Sequence, residues 1–321
     1  MPVVDTSTFI HRQDLEEVVR QAPGMFMPIA DLVLPGVSVQ KTKGQMVVID
    51  QHNFTEDPGE DHVRKGELSE AKEVNARYSE LDFETFDRSL QHTIPYRRIA
   101  DMGDRVRLES EAAVFLDMKF KVRREKRVSD LLMNISTWPL SGTTGFTVST
   151  SWYASGGKPK TDVELAGQYL QIRGGNRGLA EGIMSINTFM RLLLLEDLVN
   201  DRRYIETPSL LLNDANRKAV AAQLGLQDVF VGGVLVNTKA EGVARVLSSC
   251  WPDNYVGIGN YSSRFGMYRV GATYFNTATK GMRKIDSFDN QAKEGIVVRA
   301  GEDLGEEVHH SDLQTLIKIV P

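Results

Sequence analysis

Residues 104–134 read DRVRLESEAAVFLDMKFKVRREKRVSDLLMN, and neither Gly nor Pro interrupts them. Asp104 is placed to cap a helix, because its carboxylate can accept from the orphan N–H groups of the first turn and suits the positive end of the helix dipole. Leu108, Ala112, Phe115, Leu116, Met118 and Phe120 make a broad apolar face, while Arg107, Glu111 and Asp117 fall elsewhere. The pattern predicts one long helix. At about 1.5 Å per residue it spans roughly 45 Å, long for a compact enzyme domain but suited to a spar crossing a flat subunit. A rival reading makes Lys119 to Val122, where charged and apolar residues alternate, a strand that interrupts the helix.

Working outward, the 321 residues suffice for two domains, or for one body with large extensions. A formal charge of −5 gives no overall drive toward nucleic acid or anionic membrane. Cys250 is the only cysteine, which rules out an intrachain disulfide and fits a reducing compartment. The first residues show no basic region followed by an apolar run, and the longest apolar stretch, Val229 to Val236, is far too short to cross a bilayer. A soluble intracellular product is expected.

Before the helix, Asp5 or Thr6 can cap a short helix carrying Phe9, Leu15, Val18 and Val19. Met25 to Ile29 and Leu32 to Val37 are apolar but broken by Pro28 and Pro35, which suits an extended arm. Met46 to Ile49 reads as a strand. Residues 51–77 are charged and almost devoid of large apolar side chains, so they cannot bury a core and are expected to form a protruding loop or ribbon. The chain returns through Tyr78, Leu81, Phe83, Phe86 and Leu90 to Ile94-Pro95.

After the helix, Thr161 or Asp162 can start a second one, with Val163, Ala166 and Leu170 inward and Gly174-Gly175 ending it. A strand is expected over Leu179 to Ile186, a helix capped by Asn187, and another helix over Asn213 to Leu224. Asp228 to Asn237 reads as a buried strand in which Gly232 and Gly233 allow a bulge or a close approach. Tyr255 to Ile258, Met267 to Phe275, Gly295 to Ala300 and Leu313 to Val320 complete a strand-rich second half. The class is α+β rather than a regular βαβ alternation.

The order of these pieces resembles the major capsid proteins of tailed bacteriophages, those with the Hong Kong 97-type fold. Residues 149–166, STSWYASGGKPKTDVELA, look like that family's tryptophan segment followed by Pro and then Asp before a helix, here Trp152, Pro159, Asp162 and Ala166. Residues 221–238, AAQLGLQDVFVGGVLVNT, and 248–261, SSCWPDNYVGIGNY, resemble its helix, Leu-Gly turn, Val-rich strand, Asn-Thr and Trp-centred strand. The resemblance implies an N-terminal arm over residues 1–44 and an extended loop over 45–93 that reaches over a neighbour. It implies a peripheral domain over 94–175 with a spine helix at 104–134, an axial domain over 176–283, and C-terminal strands of the peripheral domain over 284–321. It further implies a virion shell of pentamers and hexamers around double-stranded DNA, assembled in the bacterial cytoplasm either with a separate scaffolding protein or unaided, with a portal, and leaves a decoration protein open. An encapsulin-type nanocompartment shell is the nearest alternative, and a phosphate-handling α+β enzyme is the alternative from another class. Lys65 and Lys72 could offer amines for a cross-link between subunits, but no opposing Asn and acid can be placed, so none is predicted.

No catalytic, cofactor-binding or metal-binding residue stands out. Gly174 to Gly178 could form an anion nest yet lacks the Lys-Ser/Thr of a phosphate loop, and Gly257-Ile258-Gly259 lacks a third glycine. His309-His310 follow Glu306-Glu307, but adjacent strand residues point to opposite faces. Ser141, Ser151 and Ser155 lie outside any GxSxG elbow. Lys119, Lys121, Arg123, Arg124, Lys126 and Arg127 form the one conspicuous cluster. It reads either as a face paired with acidic neighbours, including those of another subunit, or as a sequence-independent contact with packaged DNA.

Overall fold

The computed structural model describes residues 10, 11, 15, 28–49, 53, 57, 75–154, 156–195, 214–239, 244, 246–262 and 268–320. In chain order the strands are β1 (Ile10–His11), β2 (Gly36–Val39), β3 (Lys43–Ile49), β4 (Tyr78–Glu84), β5 (Phe86–Pro95), β6 (Gly145–Thr147), β7 (Glu181–Ser185), β8 (Asp228–Gly232), β9 (Leu235–Asn237), β10 (Leu247–Ser249), β11 (Tyr255–Gly259), β12 (Gly271–Asn276), β13 (Lys284–Asn290), β14 (Gly295–Val308) and β15 (Gln314–Lys318). The helices are α1 (Ala30–Val33), α2 (Tyr96–Met102), α3 (Arg105–Leu132), α4 (Pro159–Ile172), α5 (Ile186–Leu192) and α6 (Asp214–Gln223).

Helix α3 is continuous for 28 residues, so the strand at Lys119 to Val122 does not form. Asp104 caps it, accepting from the Arg107 N–H at 3.0 Å. Ion pairs between residues four apart support the exposed turns, Arg105 with Glu109 at 2.8 Å and Arg107 with Glu111 at 3.0 Å. Its first half lies on a sheet ordered β1-β13-β14-β12-β2, with β5 paired along β14. Leu108, Ala112, Ala113, Leu116 and Phe120 of α3 pack there against Ile94, Ile285, Val298 and Ala300. The second half reaches a different cluster, in which Val128 and Leu132 meet Trp138, Trp251, Tyr261, Leu313 and Leu316. That cluster borders the second sheet, ordered β6-β15-β11-β7-β8, whose core is closed by α4, α5 and α6 through Val163, Leu170, Phe189, Leu192 and Val220. The spar therefore joins two sheets.

Several local expectations shift. Leu32 to Val37 is not wholly extended, because α1 forms before β2 pairs in parallel with β12. Ile10–His11 pairs with Ser287 and Asp286 as a strand and Leu15 is helical, while the other residues of the expected short helix lie outside the described residues. Helix α4 begins at Pro159, which needs no amide partner in a first turn. Asp162 is consequently inside the helix, where its carboxylate accepts from Trp152 Nε1 at 2.7 Å. Ser185, not Asn187, caps α5 by accepting from the Thr188 N–H at 3.1 Å. The expected strand over Asp228 to Asn237 divides into β8 and β9, and Gly232 makes the close approach: a Cβ there would lie 2.1 Å from the Trp251 ring.

Candidate functional site

The spine helix buries charge where the sequence pattern predicts a simple polar face. Glu125 is fully buried and accepts from the Ala30 N–H at 2.6 Å and from Trp251 Nε1 at 2.7 Å. One carboxylate thus ties α1, α3 and the segment entering β11 together. Burial pushes the Glu125 carboxyl above its ordinary value, against the opposing pull of the Ala30 and Trp251 donors. A carboxyl raised in the folded state contributes stability below its unfolded pKa, and loses that contribution as pH rises through the folded value. Glu125→Gln removes the titration and presents an NH2 group to one of two donors, a loss of about 1–3 kcal/mol. The deficit of this variant relative to the native chain should be largest near about pH 5 and shrink toward about pH 8. Urea midpoints across that range test it, and a deficit that grows with pH would refute the assignment.

Further along, Arg127 donates to Glu302 at 3.0 Å and to Glu306 at 2.7 Å, while Arg283 joins Glu302 at 3.2 Å and Asp117 at 3.0 Å. Lys121 closes the chain on Asp117 at 2.8 Å. These residues line, in part, a groove of about 720 Å³ beside the turn between β12 and β13. Its charges are largely matched within the molecule, since Arg124 pairs with Asp31 at 2.5 Å and Lys280 with Asp87.

The second feature is a ribbon. Strands β3 and β4 run antiparallel from Lys43↔Glu84 to Ile49↔Tyr78 and form a separate two-stranded sheet. Phe83 anchors its root by stacking on Tyr274 with ring centroids 4.8 Å apart, in a small cluster with Val39, Val37 and Met46. The Tyr274 hydroxyl lies 2.7 Å from His309 Nε2. Away from the root the ribbon is open, with Val47 57% and Tyr78 61% exposed. Beyond Ile49 and Tyr78, Asn53 bridges the two runs: its Oδ1 accepts from the Arg77 N–H at 2.7 Å and its Nδ2 donates to the Arg77 carbonyl at 2.6 Å.

The six cations predicted as a cluster do not share one face. Lys121, Arg124 and Arg127 serve the ion pairs above, and Lys126 pairs with Asp130. Lys119 and Arg123 remain exposed and have no ion-pair partner among the described residues. Lys119 Nζ stands 5.3 Å over the Phe115 ring, and Phe115, expected on the buried face, is 49% exposed. Sequence reasoning missed their companions on β5. Arg88 lies 5.3 Å over Phe86, and burial followed by repulsion from Arg127 and Arg123 lowers its pKa. The alternation in FDRSLQHTIP was the available signal, but nothing local tells which of its two faces meets α3.

The glycine motifs are structural turns or strands. Asn260 accepts from the Asn176 N–H at 2.9 Å and donates to the carbonyls of Asn176 and Leu179, while the Tyr268 hydroxyl donates to the Gly174 carbonyl. Gly257 and Gly259 are paired on both edges of β11. The His309 ring is engaged by Tyr274, and the His310 ring lies 5.4 Å from that of Tyr268. Among the described residues no group of three or more His, Cys, Asp or Glu is arranged to hold a metal, and no helix is long and apolar enough to cross a membrane. Cys250 is buried, and burial together with Glu125 pushes its thiol up to about 12, away from nucleophilic use. Ser151 Oγ accepts from the Tyr153 N–H at 3.2 Å, whereas Ser155 lies outside the described residues.

The fold built on this spar helix and its two sheets is similar to that of phage capsid proteins of known structure. A phage-related protein from Bordetella bronchiseptica superposes with a TM-score of 0.71 at 13% identity, over 97% of this chain and 97% of its own. The capsid of Cyanophage P-SCSP1u gives 0.58 at 11% identity, over 93% and 90%. The putative capsid protein of a prophage of E. coli CFT073 gives 0.57 at 11% identity, over 97% and 99%. No protein-family model matches the chain, and no curated protein sequence matches it. The likeness is one of fold, carried over at least 93% of the chain at 11–13% identity.

Proposed function

We propose that the chain is the major shell subunit of a tailed-phage-type capsid, a structural protein that self-assembles into pentamers and hexamers and encloses double-stranded DNA. The observation that carries this reading is the match to capsid proteins over 93% and 97% of the chain, and the open two-stranded ribbon supports it. In this reading residues 1–44 are the arm and 45–93 the extended loop laid on a neighbour. Residues 94–175 with 284–321 form the peripheral domain around α3, and 176–283 the axial domain at the fivefold and sixfold axes. The arrangement is of the Hong Kong 97 type. Heterologous contacts that close into rings generate such capsomers, and their combined area falls in the obligate class. The shell resides in the virion and is built in the bacterial cytoplasm with a separate scaffolding protein and a portal, and a decoration protein is left open. Its contact with DNA is independent of sequence. Of the two roles open to the basic cluster, contact between subunits fits the exposed geometry of Lys119 and Arg123 better. No specific observation favours a nanocompartment shell or a phosphate-handling enzyme.

Light scattering after size exclusion, with negative-stain electron microscopy of the same fractions, tests the reading. Closed shells, tubes or five- and sixfold rings are expected. A monomer or dimer at every concentration, with scaffold candidates added, would overturn it.

A further inference from the structure

Strand β5 pairs only with β14, so among the described residues its other edge is open. An open edge exposes a row of N–H and C=O groups and serves as a template for another strand. Phe86, Arg88, Leu90 and His92 pair with Leu304, Glu302, Ala300 and Val298, and Val298 and Ala300 pack under α3. Alternation therefore turns Phe86, Arg88, Leu90 and His92 toward the α3 side. His92 meets the edge of Phe115 with ring centroids 5.8 Å apart, and Arg88 feels the charge of Arg123. Phe115, Lys119 and Arg123 thus form a flank of α3 beside the open edge, with Phe86 and Leu90 exposed at 48% and 42%. This is the surface left when a layer lacks its last strand.

The chain carries a strand of matching chemistry. Among the described residues β4 pairs only with β3, and its Tyr78, Glu80 and Asp82 are exposed on one face. Neither Glu80 nor Asp82 has an ion-pair partner among the described residues. Alternate strand residues advance about 6.6 Å and helix residues four apart about 6 Å, so the two triplets are nearly commensurate. Since Arg88 of β5 pairs opposite Glu302, which Arg127 of α3 reaches, and His92 lies beside Phe115, β5 runs opposite to α3, and the order Tyr78, Glu80, Asp82 set beside Phe115, Lys119, Arg123 makes β4 antiparallel to β5.

We infer that β4 of one subunit adds to the open edge of β5 of a second copy, with Glu80 over Lys119, Asp82 over Arg123 and Tyr78 against Phe115. Main-chain pairing supplies the affinity and the charge pattern sets the register. The inference rests on the shell reading and names the surface on which the ribbon lands.

Full-length chains test it by charge exchange. Lys119→Glu with Arg123→Glu, and separately Glu80→Lys with Asp82→Lys, should each raise the concentration needed for assembly by about tenfold or more at low salt. All four substitutions in one chain should restore assembly to within about threefold of the native value, because the pairs are reversed together. In the native chain, amides of residues 78–84 and 86–95 should gain exchange protection on assembly. Native-like assembly by either pair variant overturns the inference. So does failure of the fourfold variant to recover while all variants keep the native melting temperature, unchanged exchange at β4 and β5, or loss of assembly on nuclease treatment, which would make nucleic acid the partner. A native chain that never associates overturns the shell reading and this contact with it.

Discussion

Removal of residues 55–74 should leave a folded, soluble subunit and abolish closed shells. The stretch is charged and poor in large apolar residues, so it adds little to any core. Both cut points fall between Asn53 and Arg77, so the two hydrogen bonds of that bridge are kept and still close the ribbon. The root is fixed independently by Phe83 on Tyr274 and by the Lys43–Glu84 ion pair at 2.7 Å. Melting temperature should therefore change little, while electron microscopy shows isolated subunits or small oligomers. Normal particles from the deletion would remove the ribbon's role in joining subunits. A melting temperature far below the native value would show instead that the segment belongs to the subunit's own fold.

The largest single-residue effect is expected at Arg127. Its guanidinium is the fork that satisfies Glu306 and the wholly buried Glu302, linking α3 to β14 across a separation of 175 residues or more. Arg127→Ala leaves Glu302 with Arg283 as its ion-pair partner among the described residues, and breaking a buried pair in this way costs about 3–5 kcal/mol. Denaturant unfolding measures the loss. Arg127→Met with Glu302→Gln and Glu306→Gln should recover most of it, because the penalty lies in the stranded charge more than in the missing attraction. Arg127→Lys should recover less, since a point charge cannot reproduce two parallel bonds. A loss below about 1 kcal/mol for Arg127→Ala would mean that water reaches Glu302 and that the network does not tie helix to sheet.

Both expectations depend on features of very different legibility. The spine helix could be read from residues 104–134 because helix formation is local: an uninterrupted run, a capping Asp104 and i,i+4 partners act within a few turns. The expected loop or ribbon over residues 51–77 lies, apart from 53, 57 and 75–77, outside the described residues; the strands on either side of it, β3 and β4, pair with each other. The Trp152, Leu-Gly and Trp251 segments carried the resemblance, and the fold match agrees with it. Helix starts were off by a few residues where Pro159 and Ser185 outcompeted the Thr, Asp and Asn nearby.

The chain's own order of residues determined its class, its long spar and the presence of an open extension, because each follows from short-range periodicity and composition. Which charges are buried was decided by tertiary structure alone. Glu125 is an ordinary helix residue until Ala30 and Trp251, 95 and 126 positions away, supply its donors. Phe115 has the spacing of a core residue, yet among the described residues the sheet beneath α3 ends at β5 and leaves it over an open edge. Lys119 and Arg123 look like the four cations beside them, and differ because α1 and β14 bring carboxylates to Arg124 and Arg127, while Lys121 and Lys126 pair with Asp117 and Asp130 of the same helix. Burial, and the partner each charge finds, depend on where distant segments meet, and no local pattern encodes that.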